Sequence, residues 1–145
     1  MDQSTHEADT SSKFSWLLVY TKAHAEAWTD INLRRQGFET LIPRVAARGG
    51  FRPLFPRYVF VGAEQNAPTQ PVRSTLGVLY VVHNGERPAA VPMQVIDEIR
   101  GRMNENGVVH LEKTAARDEL FAQRERDRIR ALIKLTAAGF RVRSA

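Results

Sequence analysis

From Phe14 to Thr21 the chain is apolar on both sides. Trp16, Leu18 and Tyr20 fall on one face of an extended segment, Leu17 and Val19 on the other. A strand apolar on both faces belongs inside a sheet covered on two sides. The segment 53–61, Pro-Leu-Phe-Pro-Arg-Tyr-Val-Phe-Val, repeats the pattern, with Tyr58 and Phe60 opposite Val59 and Val61. Pro53 and Pro56 keep its approach out of helix. Between these strands, residues 23–36 switch to helical spacing. Ala23, Ala27 and Ile31, with Trp28 beside them, predict the buried stripe. Arg34 and Arg35 suit the carbonyl end of that helix, and Gly37 supplies a left-handed exit.

A short strand is expected at 38–42 and is stopped by Pro43. Residues 44–52, with Gly49-Gly50 between two short arms, read as a projecting hairpin or loop. A fourth strand is predicted at 78–82, followed by a His83-Asn84-Gly85 turn. Pro92 then opens a second helix with Pro92, Ile96, Ile99 and Met103 as its stripe, closed by Gly107. The order β-α-β-β-β-α predicts an α+β sandwich, a four-stranded, mainly antiparallel sheet with flanking helices. The tail reads two ways. Ile129, Ala131, Ile133 and Leu135 alternate like a strand, yet residues 118–135 contain no helix breaker. The expected division is a disordered leader at 1–12, a domain at 13–110, a linker at 111–118 and a small tail at 119–145.

Composition narrows the chemistry. The 145 residues are 43% hydrophobic, enough for a packed core, and no apolar run approaches the ~18 residues of a membrane span. There is no cysteine, so disulfides and thiolate metal sites are excluded, and a cytoplasmic protein is expected. His6, His24, His83 and His110 are scattered without acidic partners at ligand or triad spacing. No phosphate loop occurs, and Asp97-Glu98 point different ways on a helix. No metal, cofactor or enzymatic activity is expected. The net charge of +5 resides in residues 113–145, which hold nine Lys/Arg against four acids. Residues 34–57 hold six arginines against Glu39 alone, a local concentration that suits a polyanion.

Five blocks resemble the N-terminal domain of the NusG/RfaH family of transcription elongation and antitermination factors. They are Trp16–Lys22, Gln36–Glu39, Pro53–Val61, Val72–Val78 and Pro88–Pro92, in family order and at family distances over roughly residues 14–107. The resemblance implies a factor that binds RNA polymerase and increases its processivity. It implies that Tyr20, Phe55, Pro56 and Tyr58 line an apolar cavity for the β′ clamp helices, with Thr69 toward the β gate loop. Val81 and Asn84 stand where RfaH-like members carry aromatics. The resemblance further implies that Lys22, Arg34, Arg35, Gln36 and Arg73 face non-template or upstream DNA. The tail is similar to only the later strands of the family's KOW barrel, a partial β-meander; in the RfaH branch this region is helical instead. An incomplete barrel predicts that the ribosome or termination-factor contact of the intact KOW domain is lost. A four-stranded sheet with aromatics and arginines also outlines an RNA recognition motif, although the Arg/Lys-Gly-Phe/Tyr consensus is absent.

Overall fold

The computed structural model describes residues 14–111 and 119–144, with side chains through residue 137. The expected leader, and all of the expected linker except Leu111, lie outside the described residues. The organising strand is β1 (Phe14–Thr21). It runs antiparallel to β5 (Tyr58–Glu64) through an unbroken register from Phe14↔Glu64 to Tyr20↔Tyr58. On its other side β1 pairs with β6 (Val78–Val81) and then with β9 (Ala90–Val91), while β2 (Glu39–Leu41) extends the sheet beyond β5. The order β2-β5-β1-β6, with β9 beside β1, makes five strands, one more than predicted.

Each face of β1 seeds a separate core. Leu17 and Val19 join Val59, Val61, Val81, Val72 and Leu33 on the face carrying α1 (Glu26–Arg35) and the short α2 (Gln70–Arg73). Trp16 and Leu18 join Phe60, Leu54 and Phe55 on the opposite face. There they meet Ile96 and Ile99 of α3 (Met93–Arg102). Pro92 precedes α3 in extended geometry, as its predicted place at the helix start requires. The predicted hairpin is β3 (Arg44–Ala47) with β4 (Gly50–Pro53); Gly49 and Gly50 both take positive φ at its tip. It gains a third strand because β10 (Val108–Val109) runs parallel to β3. His83-Asn84, expected to turn, instead forms β7 and pairs with β8 (Arg87–Pro88) around Gly85.

The first helix corrects the sequence reading most sharply. Trp28 and Ile31 are each 49% exposed, and Thr29 and Leu33 face the core instead. The cause is local. Gly77, at φ +99, brings its backbone so close to Thr29 that a Cβ there would collide with the Thr29 hydroxyl. Asn32 Nδ2 donates to Leu76 O (3.4 Å), and Gln36 Nε2 donates to Thr75 Oγ1 (2.6 Å). This polar seam turns the helix so that its apolar stripe points outward.

In the tail, residues 125–144 form a helix, α4, preceded by a 3-10 turn at Glu119–Phe121. Its buried positions, Arg128, Ala131, Leu132 and Thr136, lie on one helical face, so the alternating pattern of Ile129 to Leu135 does not express itself as a strand. Leu120, Phe121, Ala131 and Leu132 join the core of the α3 face. Arg128, 4% exposed, donates from Nε to Leu54 O (2.9 Å) and from Nη1 to the carbonyls of Ala122 (2.8 Å) and Gln123 (2.9 Å). Burial pushes its guanidinium below the usual arginine value, with Glu125 opposing and Arg52 adding to the shift. Nearby, Arg52 Nη2 reaches Glu125 Oε1 at 3.0 Å, an ion pair too exposed to contribute much.

Two substitutions test this packing. Gly77→Ala must both adopt a left-handed backbone and displace Thr29, so unfolding free energy should fall by about 2–4 kcal/mol in urea titrations. Arg128→Met leaves the Leu54, Ala122 and Gln123 carbonyls without their donor. A loss of about 2–4 kcal/mol is expected, whereas exposed Arg126→Met should stay within about 0.5 kcal/mol of the parent.

Candidate functional site: a tyrosine row and a cationic helix face

Three tyrosines, one from each of three neighbouring strands, lie side by side. The register sets Tyr20 opposite Tyr58 on one side and opposite Tyr80 on the other. Ring centroids are 5.1 Å apart for Tyr20–Tyr58 and 5.0 Å for Tyr20–Tyr80, both tilted. Tyr80 is 50% exposed on the outer strand β6, and Tyr20 and Tyr58 are half-buried. Row and core share one face of the sheet: the alternation that buries Trp16, Leu18 and Phe60 brings Tyr20 and Tyr58 to its end, where cover thins.

A tight turn holds the row. Tyr58 N donates to Phe55 O (3.0 Å), closing the four residues Phe55-Pro56-Arg57-Tyr58. Proline at the second position and a positive φ of 74° at the third are the signature of a type II turn, where glycine or asparagine is usual. Arginine occupies the third position here, a strain of about 1–2 kcal/mol. Its contacts offset that strain. The Arg57 amide donates to Glu26 Oε2 (2.8 Å), its Nε to Thr21 O (3.0 Å), and its guanidinium lies 4.4 Å from the Tyr20 ring centre. A delocalised cation therefore sits on the row. Burial raises the Tyr58 phenol above its ordinary pKa of 10.0; Tyr80 and Tyr20 add to the rise, and Arg57 opposes it.

Of the residues named for polymerase contact, Tyr20, Tyr58 and Pro56 are brought together here. Phe55 is not. It is 1% exposed and packs edge-on against Phe60 at 5.9 Å, so it supports the row from within the core and offers no surface of its own. Thr69 is partly exposed at the start of α2, away from the row in the chain. Two members of the site escaped the sequence reading. Arg57 had a signal in its Pro-Arg-Tyr turn, whereas the pairing of Tyr80 with Tyr20 depends on a register shift at Tyr20/Thr21 that nothing in the pattern announces.

The residues named for DNA contact divide as well. Lys22, Arg35 and Arg73 are exposed and make no ion pair among the described residues. Arg34 commits Nε to Asp30 Oδ1 (3.1 Å) and Thr40 Oγ1 (2.9 Å), and Thr40 Oγ1 also donates to Asp30, so this group braces α1 on β2. Gln36 serves the seam with Thr75. Among the described residues no cluster of three or more His, Cys, Asp or Glu is placed to hold a metal, and no helix is long and apolar enough to cross a membrane.

A small α+β sandwich that presents aromatics from one sheet end, with cations along a flanking helix, defines a binding module. Comparison with known proteins specifies which. The family model described as transcription termination factor NusG matches residues 14–100, so the chain belongs to the NusG family of transcription termination and elongation factors. A solved structure of Thermotoga maritima NusG, described by the interaction of its domains, has a TM-score of 0.53 at 24% identity. The match covers 78% of this chain and 70% of that one, and it bears on the fold.

The tyrosine row makes its own titration predictable. The folded-state pKa of Tyr58 is raised, so its share of stability is fully present below the unfolded value of 10.0 and is lost as pH rises through the folded value. Phenolate absorbance near 295 nm should show one of the three tyrosines ionising after the others, and Tyr58→Phe should remove that last phase.

Proposed function

We propose that this chain docks on RNA polymerase through the Tyr20–Tyr58–Tyr80 row and favours the closed, processive enzyme. The observation that supports this reading is the row itself, half-exposed aromatics with Arg57 laid on them. Buried aromatic and arginine anchors are what dominate protein interfaces. The partner surface is the pair of clamp helices of the β′ subunit, received against an apolar platform as helices are in other grooves. Pro56 borders that contact, and Thr69, on the other side of the domain's sequence, faces the β gate loop. By binding the closed enzyme better than the open, paused one, the factor shifts an existing equilibrium and performs no chemistry.

Lys22, Arg35 and Arg73 supply salt-dependent attraction to non-template or upstream DNA of the bubble. Arg34 and Gln36 hold that surface in place. An RNA recognition motif is less favoured: Trp16 and Phe60, from the two middle strands, are buried under α3 and so are unavailable to stack on bases. The proposed setting is the cytoplasm, with no contact to ribosome or termination factor through the helical tail.

Two experiments test this. Purified core polymerase should be retained by the wild type and lost at least about 10-fold with Tyr58→Ala or Tyr80→Ala, since each truncates an interface anchor. Retention unchanged in both variants rejects the docking surface. Lys22→Ala combined with Arg35→Ala should flatten the dependence of log K on log salt for bubble DNA by about one to two units. An unaltered slope rejects the DNA assignment.

A further inference from the structure

The outward stripe of α1 has no role in folding and is apolar where a solvated helix should be polar. Trp28 and Ile31 are half exposed on it, and Leu76, 64% exposed, lies alongside in the loop bonded to Asn32. Helical spacing places Trp28 one turn before Asn32 and two turns before Arg35, so indole, Leu76 loop and Arg35 share one side of the helix. Lys22 joins them because its amide donates to Gly77 O (2.9 Å), and Arg73 precedes the same loop. An exposed indole is thus bordered by three cations, none of them in an ion pair among the described residues.

We infer that Trp28 is a stacking platform for an unpaired base of single-stranded DNA, whose flanking phosphates lie against Lys22, Arg35 and Arg73. Three features favour this occupant. The charge is complementary to a polyanion. The apolar area is centred on one large flat ring, and flat rings bordered by cations are what sequence-tolerant single-strand binders present. The acids on α1 are engaged elsewhere, Asp30 with Arg34 and Glu26 with the Arg57 amide, so they do not repel a backbone passing Trp28. A paired base has no free face to stack, so the site discriminates single strand from duplex, which cations alone do not. This inference rests on the reading of the α1 surface as DNA-facing and adds to it both a contact residue and a strand state.

The test uses the full chain with fluorescein-labelled dT12 and a blunt duplex of equal length, followed by anisotropy across a salt series. Tryptophan emission provides a second readout, because Trp16 is 2% exposed and Trp28 is 49% exposed, so acrylamide reaches essentially Trp28 alone. Saturating dT12 should protect the emission from acrylamide. Trp28→Ala should weaken dT12 binding about 5- to 50-fold with an unchanged salt slope, leave duplex binding unchanged, and be rescued to within about 3-fold by Trp28→Phe. Equal dT12 binding by wild type and Trp28→Ala overturns the inference, as does acrylamide quenching unaffected by bound dT12. Equally Trp28-dependent binding of rU12 overturns the assignment to DNA. A wild-type dimer in sedimentation that Trp28→Ala dissolves overturns it too, in favour of contact between copies. If wild-type protein binds dT12 and the Lys22/Arg35 variant flattens the slope while Trp28→Ala is neutral, only the stacking inference fails. If the wild type binds no DNA, the DNA part of the proposed function fails with it.

Discussion

The pairing of β1 with β5 is the constraint from which the rest follows. Its register sets Leu18 against Phe60 and Val19 against Val59, and so decides which apolar residues feed which core. A slip by one residue would send Trp16, Leu18 and Phe60 to the α1 face and leave both layers mismatched. Because both faces of both strands are apolar, neither layer tolerates the exchange, and the register is doubly specified. The tyrosines at the end of this ladder inherit that rigidity. They extend the core's own alternation to the place where α3 no longer covers it.

The Phe55–Tyr58 turn couples this ladder to its surroundings. A left-handed arginine is retained because its amide, Nε and guanidinium each find a fixed partner in β1, Tyr20 or α1. The same residue therefore anchors the turn, ties the two faces of the sheet together and sets a positive charge over the aromatic row. At the other end of that turn, Leu54 offers its carbonyl to Arg128 of α4, so the segment 54–58 is gripped from both layers.

Much of this was legible in the residues, and the exceptions share a cause. Strands at 14–21 and 58–61 were readable because strict alternation of large apolar residues leaves no other arrangement. The outward turn of α1 was not, because its packing depends on Thr29 nesting against a glycine and on Asn32 and Gln36 bonding a loop 39 to 44 residues away. Hydrophobic periodicity carries no trace of such a seam, and it pointed to the wrong stripe. In the tail, alternation and helical spacing coexist between Ile129 and Leu135, and the choice falls to the buried Arg128, whose carbonyl partners come from outside the helix. Tyr20 and Tyr58 stood out as surface candidates, while Phe55 shared their chemistry but not their position. Short apolar runs state what is greasy, not how far from solvent it ends.

The Gly77–Thr29 seam also has a bearing on how such a module changes over time. Because α1 is clamped by small and polar residues on its inner side, its outer residues are spared any duty in holding the fold. Substitutions there alter what the helix touches at almost no cost in stability. The platform for specificity is thereby uncoupled from the framework, and variants of this domain are free to trade one nucleic-acid preference for another while the sheet beneath them stays put.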